Sequence, residues 1–472
     1  MNSAYQFNSS IFREYDIRGI AGTDISAEFA HRLGQTFALW ASQKTGKEKL
    51  LISVGRDCRL TSDEYADALI GGLTSSGFDV LNLGTCPTPL TYFSVHHHHT
   101  DGAIMITGSH NPSEYNGFKI GIGKDTIHGE QIQELKQLYL KGDFLCGAHG
   151  FVKKAEIIGP YVEYVNQVIK PKRKLKVVLD AGNGTAATVA PLLFQAMGAE
   201  IIPLFCELDG RFPNHHPDPT VPKNLKHLIE AVLANRADFG VAYDGDSDRI
   251  GAVDENGRVI FGDELMIIFS REVLKNNPGA TIISEVKSSQ RLYQDIAAKG
   301  GKGIMWKTGH SLIKSKMKET QAKLAGEMSG HIFFADRWFG FDDAIYASAR
   351  LYEIVGNQSP LSSLTSDLKP MVSTPEIRID CDEAKKFALI EEAARHLQDQ
   401  NAELLSIDGL RVDYADRWGL IRASNTQPVI VMRFEAQNEI LLDQIRKKFE
   451  AALSRAAEKL GHEKFNYESS DH

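Results

Sequence analysis

Lys176-Val177-Val178-Leu179-Asp180-Ala181-Gly182-Asn183-Gly184 is a short apolar run that ends on an acidic residue and a turn containing two glycines. A continuous apolar run bounded by such residues reads as a buried strand. A helix-like stretch follows to Met197, then Gly198, then a second strand-like run, Glu200-Ile201-Ile202-Pro203-Leu204. Strand, polar turn, helix, glycine, strand is the βαβ unit, whose crossover is right-handed in nearly all cases.

The same order recurs on either side. Upstream, Leu50-Leu51-Ile52-Ser53-Val54 leads through a Gly/Arg/Asp turn to a helix from Ser62 to Ser76, Gly77, and the run Phe78 to Leu83. Downstream, Thr281-Ile282-Ile283-Ser284 leads through a Lys/Ser/Ser turn to a helix ending at Lys299, a Gly-Gly pair, and Gly303-Ile304-Met305-Trp306. We therefore expect three related α/β domains. Their functional turns should lie at the carboxyl ends of strands, where open α/β sheets bind ligands. From Met371 the order changes to several strands, one of them alternating (Val429 to Glu435), with helices expected over Glu383 to Gln400 and Glu439 to Leu460. Strands with two helices in this order suggest a separate α+β domain. The expected boundaries are 1–155, 156–258, 259–370 and 371–472. The four histidines His96 to His99 should close a helix ahead of the strand at Ala103, where positive charge suits the helix C-terminus.

Composition narrows the function. The 472 residues suit three or four domains. With 53 basic against 61 acidic residues and a net charge of −8, the chain is not a general nucleic-acid binder, which would show a basic excess. A local basic pocket for a phosphorylated metabolite is still allowed. The five cysteines are scattered and form no CxxC pair, so neither a disulfide framework nor a structural zinc site is expected. Met1 to Arg18 has no apolar signal region, and no stretch is long and apolar enough to span a bilayer. We expect a cytoplasmic protein without membrane or nucleic-acid partners.

The chemistry is concentrated in short loops. Thr107-Gly108-Ser109-His110-Asn111-Pro112 follows the apolar run Ala103 to Ile106 and places Ser109 on a turn, where a hydroxyl can act as a nucleophile if it is activated. Tyr243-Asp244-Gly245-Asp246-Ser247-Asp248-Arg249 carries three aspartates at alternate positions, which face one side if the backbone is extended. Converging carboxylates need a cation between them, and an all-oxygen donor set favours Mg2+ or Ca2+. The spacing Asp244, Asp246, Asp248, Glu255 also fits an EF-hand loop, but Arg249 stands where that loop requires glycine and a strand-like run precedes it. Arg249 beside the cluster is suited to phosphate. Lys307-Thr308-Gly309-His310 puts His310 at a strand end. Gly326-Glu327-Met328-Ser329-Gly330-His331 frames a Glu, a Ser and a His suited to sugar hydroxyls. The loop Arg422-Ala423-Ser424-Asn425-Thr426-Gln427-Pro428 gathers donors for an anion cradle. Tyr15-Asp16-Ile17-Arg18-Gly19 adds another arginine beside a glycine turn.

These loops, in this order, strongly resemble the α-D-phosphohexomutases, and within them the bacterial phosphomannomutase/phosphoglucomutase group. The resemblance runs from residues 15–19 to 422–428. It implies four domains around a central cleft, three of them related α/β domains with mixed sheets. The fourth is C-terminal and resembles the TATA-binding-protein fold. By resemblance, Ser109 is the phosphorylated residue with His110 and Lys119 beside it, and Asp244, Asp246 and Asp248 hold Mg2+ together with a phosphoserine oxygen. Arg249 flanks that site. Tyr15, Arg18, Lys287, His310, Glu327, Ser329 and His331 line the sugar site, and Arg422, Ser424, Asn425 and Thr426 cradle the phosphate that is not transferred. The implied reaction interconverts hexose 1-phosphate and hexose 6-phosphate of glucose or mannose through a 1,6-bisphosphate, which also serves as activator. A base must take the hydroxyl proton, and Lys119, His310 and His331 all remain candidates. The resemblance also leads us to expect a monomer or a dimer, with a C-terminal domain that closes on a hinge near residues 369–373.

Met328 and Asn425 favour the glucose/mannose enzymes over phosphoglucosamine mutases, which more often show Gln and Gly there. Arg211 and the Gly102-Ala103 pair depart from the family pattern, and Arg211 is expected to alter a domain contact. Two other readings use the same motifs. A phosphoserine-type hydrolase of sugar phosphates differs only in admitting water. A non-catalytic sugar-phosphate or Ca2+ binder would need a damaged nucleophile or metal cluster, and neither is seen.

Overall fold

The computed structural model describes residues 8–145, 147–424, 428–463, 465 and 467. Its strands form four sheets. In the first, which has seven strands, the four adjacent central ones are Asp79–Thr85, Leu51–Arg56, Gly102–Ile106 and Tyr115–Ile122, with the first two contacts parallel and the last antiparallel. In the second, Glu200–Leu204, Lys176–Asp180, Phe239–Tyr243 and Ile250–Asp254 stand in the same relation. The third repeats it with Lys302–Trp306, Thr281–Glu285, Leu324–Gly326 and Ile332–Phe334. Each α/β unit thus has strand order second, first, third, fourth, and only the fourth strand is reversed. The shared order, including that reversal, supports the repetition suggested by the sequence. It also has a functional consequence. The Ser109, Asp244 and Glu327 loops each join the third strand of a unit to its reversed fourth strand.

The fourth sheet is wholly antiparallel: Val372–Ser373, Val429–Ala436, Arg417–Ala423, Leu410–Asp413 and Glu403–Leu405, with Ile377–Asp380 also against Val429–Ala436. Alternation assigns its two faces. Ile421, Met432 and Phe434 join the apolar core with the helices Lys386–His396 and Glu439–Lys459. Trp418, Leu420, Arg433 and Glu435 take the other face, against Val286 of the third unit.

The second and third units share one apolar core that runs from Val177 and Leu179 to Ile282 and Leu324. Through its middle passes the helix Ala344–Asn357, buried from Ala344 to Gly356. A helix buried on every side is a core element rather than a surface one. The first unit has a core of its own around Phe29, Ile52 and Leu69. The histidine run closes the helix Thr88–His97, and His99 adopts a left-handed backbone ahead of the strand at Gly102. Arg211 pairs with its neighbour Asp209 on the surface.

Candidate active site

Ser109 is buried, and its φ of 49° lies in the left-handed region that L side chains rarely enter. The chain holds it there from both sides. Thr107 Oγ1 accepts from the Ser109 N–H at 2.8 Å. Arg59, itself buried, donates to the carbonyls of Ser109 (2.8 Å), Asn111 (2.6 Å), Pro112 (2.5 Å) and Tyr115 (2.9 Å). Asp57 orients that guanidinium (3.2 Å) and accepts from the Gly108 N–H (3.2 Å). A Cβ on Gly108 would stand 2.5 Å from Arg59, so only glycine lets the clamp close. The sequence reading missed Arg59 and Asp57, because the backbone carbonyls that Arg59 grips and the Gly108 N–H that Asp57 accepts from leave no mark in the spacing.

The aspartate loop meets the serine loop at a glycine: a Cβ on Gly245 would lie 2.6 Å from the Ser109 carbonyl. Ser109 Oγ donates to Asp244 Oδ2 at 2.9 Å and lies 3.1 Å from His110 Nδ1. The three aspartates converge as expected, though by a different route. The loop is a turn, with Ser247 at φ 65°, rather than an extended strand. Its curl is fixed by the N–H groups of Asp248 (3.0 Å) and Arg249 (3.1 Å), which donate to Asp244 Oδ1.

Candidate ligand atoms of Asp244, Asp246 and Asp248 lie within 4.8 Å of one another, and all three residues are buried. Burial, then the carboxylates of Asp246 and Asp248, push Asp244 well above its ordinary range. Burial also opposes the charge on Asp246, but Lys119 outweighs it and holds that carboxyl low, helped by hydrogen bonds from Lys119 (2.6 Å) and Thr88 (2.5 Å). Lys119 also donates to Asp248, and these aspartates keep it protonated against its burial. Oδ1 of Asp246 and Oδ1 of Asp248 are buried without a hydrogen-bond partner. Unpartnered buried oxygens on converging carboxylates fit a hard cation.

The third loop brings His331 against the second. Arg249 Nε donates to His331 Nε2 at 3.0 Å, while His331 Nδ1 lies 3.2 Å from Asp342 Oδ2. Asp342 is fully buried and also faces Lys314 (3.1 Å) and His310 (3.7 Å). The sequence reading passed over Asp342, which follows an aromatic stretch with no motif of its own. His310 opens the helix His310–Thr320 instead of ending a strand, and its ring stacks on His331 at 5.4 Å. Burial lowers the pKa of both His110 and His310 well below the ordinary value, keeping them neutral.

Tyr15 donates to the Thr308 carbonyl at 3.0 Å and packs edge-on against His310. Arg18 donates to Asn111 Oδ1 at 2.6 Å. Glu327 Oε1 accepts from the Gly309 N–H at 2.6 Å, and Ser329 Oγ lies 3.4 Å from Glu327 Oε2. Burial, then the nearby Glu285, raise the pKa of Glu327.

At the far end, Lys287 pairs with Glu376 at 3.0 Å, and Arg422 Nε donates to Asp408 Oδ2 at 3.0 Å. Asp408 also accepts from the Thr308 N–H at 3.1 Å, which ties the C-terminal unit to the His310 turn. Ser424 is buried beside Arg422, and Lys386 Nζ donates to its carbonyl at 2.6 Å. Asn425 and Thr426 lie outside the described residues.

Fold and site together are those of an enzyme built from three repeated α/β units and an antiparallel fourth, with a metal-capable acidic loop facing a serine. Four consecutive segments match the phosphoglucomutase/phosphomannomutase family: its alpha/beta/alpha domain I over residues 9–145, domain II over 159–257, domain III over 261–371 and its C-terminal domain over 376–452. The chain belongs to that family. It is 47% identical over 442 residues to a phosphomannomutase/phosphoglucomutase of Pseudomonas aeruginosa, covering 93% of this chain and 95% of the relative. It is 44% identical over 446 residues to a phosphoglucomutase of Neisseria gonorrhoeae, covering 94% and 96%. A crystal structure of a phosphoglucomutase/phosphomannomutase family protein from Burkholderia thailandensis superposes with a TM-score of 0.90 at 42% identity, over 97% of this chain and 99% of that one. Among the described residues, no helix is long and apolar enough to cross a membrane.

Proposed function

We propose that this chain interconverts the 1-phosphates and 6-phosphates of glucose and mannose, with Ser109 as the phosphoryl carrier and Mg2+ as the ion of the aspartate triad. The observation that carries this reading is the 2.9 Å contact of Ser109 Oγ with Asp244, inside a cluster whose other carboxylates keep unpartnered oxygens. When bound there, a divalent ion supplies charge neutralisation and a fixed point for phosphoryl oxygens. Names of relatives 44–47% identical to this chain support the substrate class.

The remaining work falls to the chain's own groups. Lys119, ion-paired to two aspartates, is a fixed positive charge and not a base. Arg249 presents a guanidinium to phosphate oxygens. Its move onto phosphate frees His331 Nε2, whose ring Asp342 orients through Nδ1. The sugar hydroxyl gives its proton to that nitrogen as the new O–P bond forms and the bond to Ser109 Oγ breaks. The bisphosphate so formed turns over, and its other phosphoryl group returns to Ser109 while the proton returns to the leaving oxygen. Glu327 and Ser329 hold sugar hydroxyls, and Lys287, Arg422 and Ser424, with Asn425 and Thr426 by resemblance, hold the phosphate that is not transferred. A hexose 1,6-bisphosphate recharges Ser109 when the phosphoryl group is lost.

The test is to incubate the protein with Mg2+ and glucose 1,6-bisphosphate and map the phosphopeptide. The phosphoryl group should lie on Ser109, and Ser109→Ala should lower turnover by roughly three orders of magnitude or more. Full turnover in that variant, or phosphate on another residue, would end the proposal. Steady-state rates on glucose, mannose and glucosamine 1-phosphates side by side sort the sugar preference, and measuring free phosphate against isomer formed separates mutase from hydrolase.

A further inference from the structure

Lys287 lies in the turn between the strand Thr281–Glu285 and the helix Gln290–Ala298; the N–H groups of that turn donate within its own unit, to Trp306 O, Glu285 O and Asp263, but its carbonyls are held by another part of the chain. Three successive carbonyls accept from two arginines of the C-terminal sheet. Arg411 Nη1 donates to Val286 O at 2.7 Å and to Ser288 O at 2.6 Å, and Arg433 Nη1 donates to Lys287 O. The next residue, Ser289, gives its hydroxyl to Glu435 at 2.7 Å and 2.9 Å.

Strand register explains how these groups come together. Arg411 stands opposite Leu420, which stands opposite Arg433, while Asp413, Trp418 and Glu435 form the adjacent cross-strand row on the same face. Trp418 fills the space between the charges: the Arg411 guanidinium lies 3.8 Å above its ring, that of Arg433 lies 5.5 Å away, and its indole N–H donates to Glu435 at 2.6 Å. All of these side chains are buried. Buried guanidinium groups are expensive unless paired; Arg411 Nε donates to Asp413 at 2.7 Å and Arg433 lies 3.6 Å from Asp263, while both turn Nη1 on the carbonyls of the Lys287 turn.

The turn they hold carries a cation into the site. Burial opposes the charge on Lys287, but the Glu285 and Glu376 carboxylates outweigh burial and keep it protonated. Arg422 is close enough for its charge to act on Lys287, and it projects from the same sheet face as Leu420 and Trp418. We infer that Arg411 and Arg433 are positioning residues that bind the Lys287 turn to the C-terminal sheet, so that Lys287 and Arg422 act as one anion grip although they belong to different units. The inference rests on Lys287 and Arg422 being the phosphate contacts of the preceding section. It makes the grip a composite, held in register by side chains that touch no substrate. A rotation of the C-terminal unit must carry the Lys287 turn with it or break these bonds.

The experiment measures the turn directly and the grip separately. In the full chain, amine labelling of Lys287, followed by peptide mass spectrometry, should be slow in the wild type and several-fold faster in Arg433→Gln and Arg411→Gln. Arg433→Lys, which keeps one donor, should fall between and guards against simple misfolding, with thermal melts recorded for each. Unchanged labelling in both Gln variants would overturn the positioning role. In kinetics, Arg433→Gln should raise KM for hexose 1-phosphate roughly tenfold with kcat within about twofold, the pattern of lost uniform binding. Added to Lys287→Met, it should raise KM no further, and additive effects would show that Arg433 acts by another route. If Lys287→Met alone leaves KM unchanged, the substrate reading of Lys287 and the shared grip fail, while the labelling still decides the positioning role.

Discussion

At the Ser109 end of the site, three buried aspartates gather round a hydroxyl and are answered by Lys119; at the Arg422 end, two cations face one another's fields and are answered by Glu376 and Asp408. The first end is an excess of carboxylate suited to a cation, and the second is a pair of cations suited to an anion. They are also assembled differently. The Ser109 and Asp244 loops occupy the same hairpin position in two repeated units and touch through Gly245. The Arg422 end is joined across units by long side chains gripping carbonyls. On the proposed function, charge that develops during phosphoryl transfer is met at the first end, so the difference predicts that changes there act on turnover and changes at the other end act on hold.

The largest effect should come from weakening the carboxylate end. Asp246→Asn removes a charge from the triad and a partner from Lys119 and Thr88. We expect kcat to fall by roughly 10² to 10³-fold, with weaker Mg2+ binding by calorimetry. A normal kcat would sink the division between the two ends. Next is Asp342→Asn, which keeps the shape but lets an amide N–H face His331 Nδ1 and so favours the wrong tautomer. We expect roughly a 10²-fold loss in kcat with KM within about twofold. Nitrogen chemical shifts of His331 should report the tautomer change, and an unchanged tautomer would count against the orienting role. Arg422→Gln sharpens the comparison from the other side. It should raise KM by roughly tenfold and leave kcat nearly unchanged, since a contact made equally to ground and transition states is lost. A kcat loss as large as that of Asp246→Asn would show that the two ends are not separate.

The Ser109 end could be read in the sequence because its groups lie in short runs after apolar strands. Ser109, Asp244, Asp246, Asp248 and the Glu327 loop each occupy one turn, and strand periodicity placed those turns at sheet ends. Less legible were features set by contact between distant elements. Arg59 reads as a surface arginine until its four carbonyl partners are known. Arg433 and Glu435 look like the solvent side of an alternating strand, yet that side docks on the Lys287 turn. Alternate aspartates suggested an extended segment, whereas backbone N–H groups donating to Asp244 curl it into a turn.

The smallest expected effect lies outside both ends, in the histidine run, and it tests whether pH acts on the frame or on the site. His96 is half-buried and stacks on Phe339 at 4.2 Å. Burial, then the charge of Lys124, lowers its pKa to about 4 from an ordinary 6.5. As pH falls from 6.5 toward 4, the unfolded chain takes up a proton that the folded chain refuses, so stability is lost through that window. Discounted for solvent screening at a partly exposed ring, the loss is on the order of 1 kcal/mol. His96→Gln should therefore flatten the dependence of Tm on pH between 6.5 and 4 while leaving the shape of the kcat profile at higher pH unchanged. Because the variant also loses the Phe339 contact, its Tm at neutral pH carries no information, and only the slope decides. An unaltered slope would remove His96 as a titrating element of the frame. A shifted kcat profile would mean that the helix Thr88–His97, whose first residue donates to Asp246, passes a change at its far end into the carboxylate site.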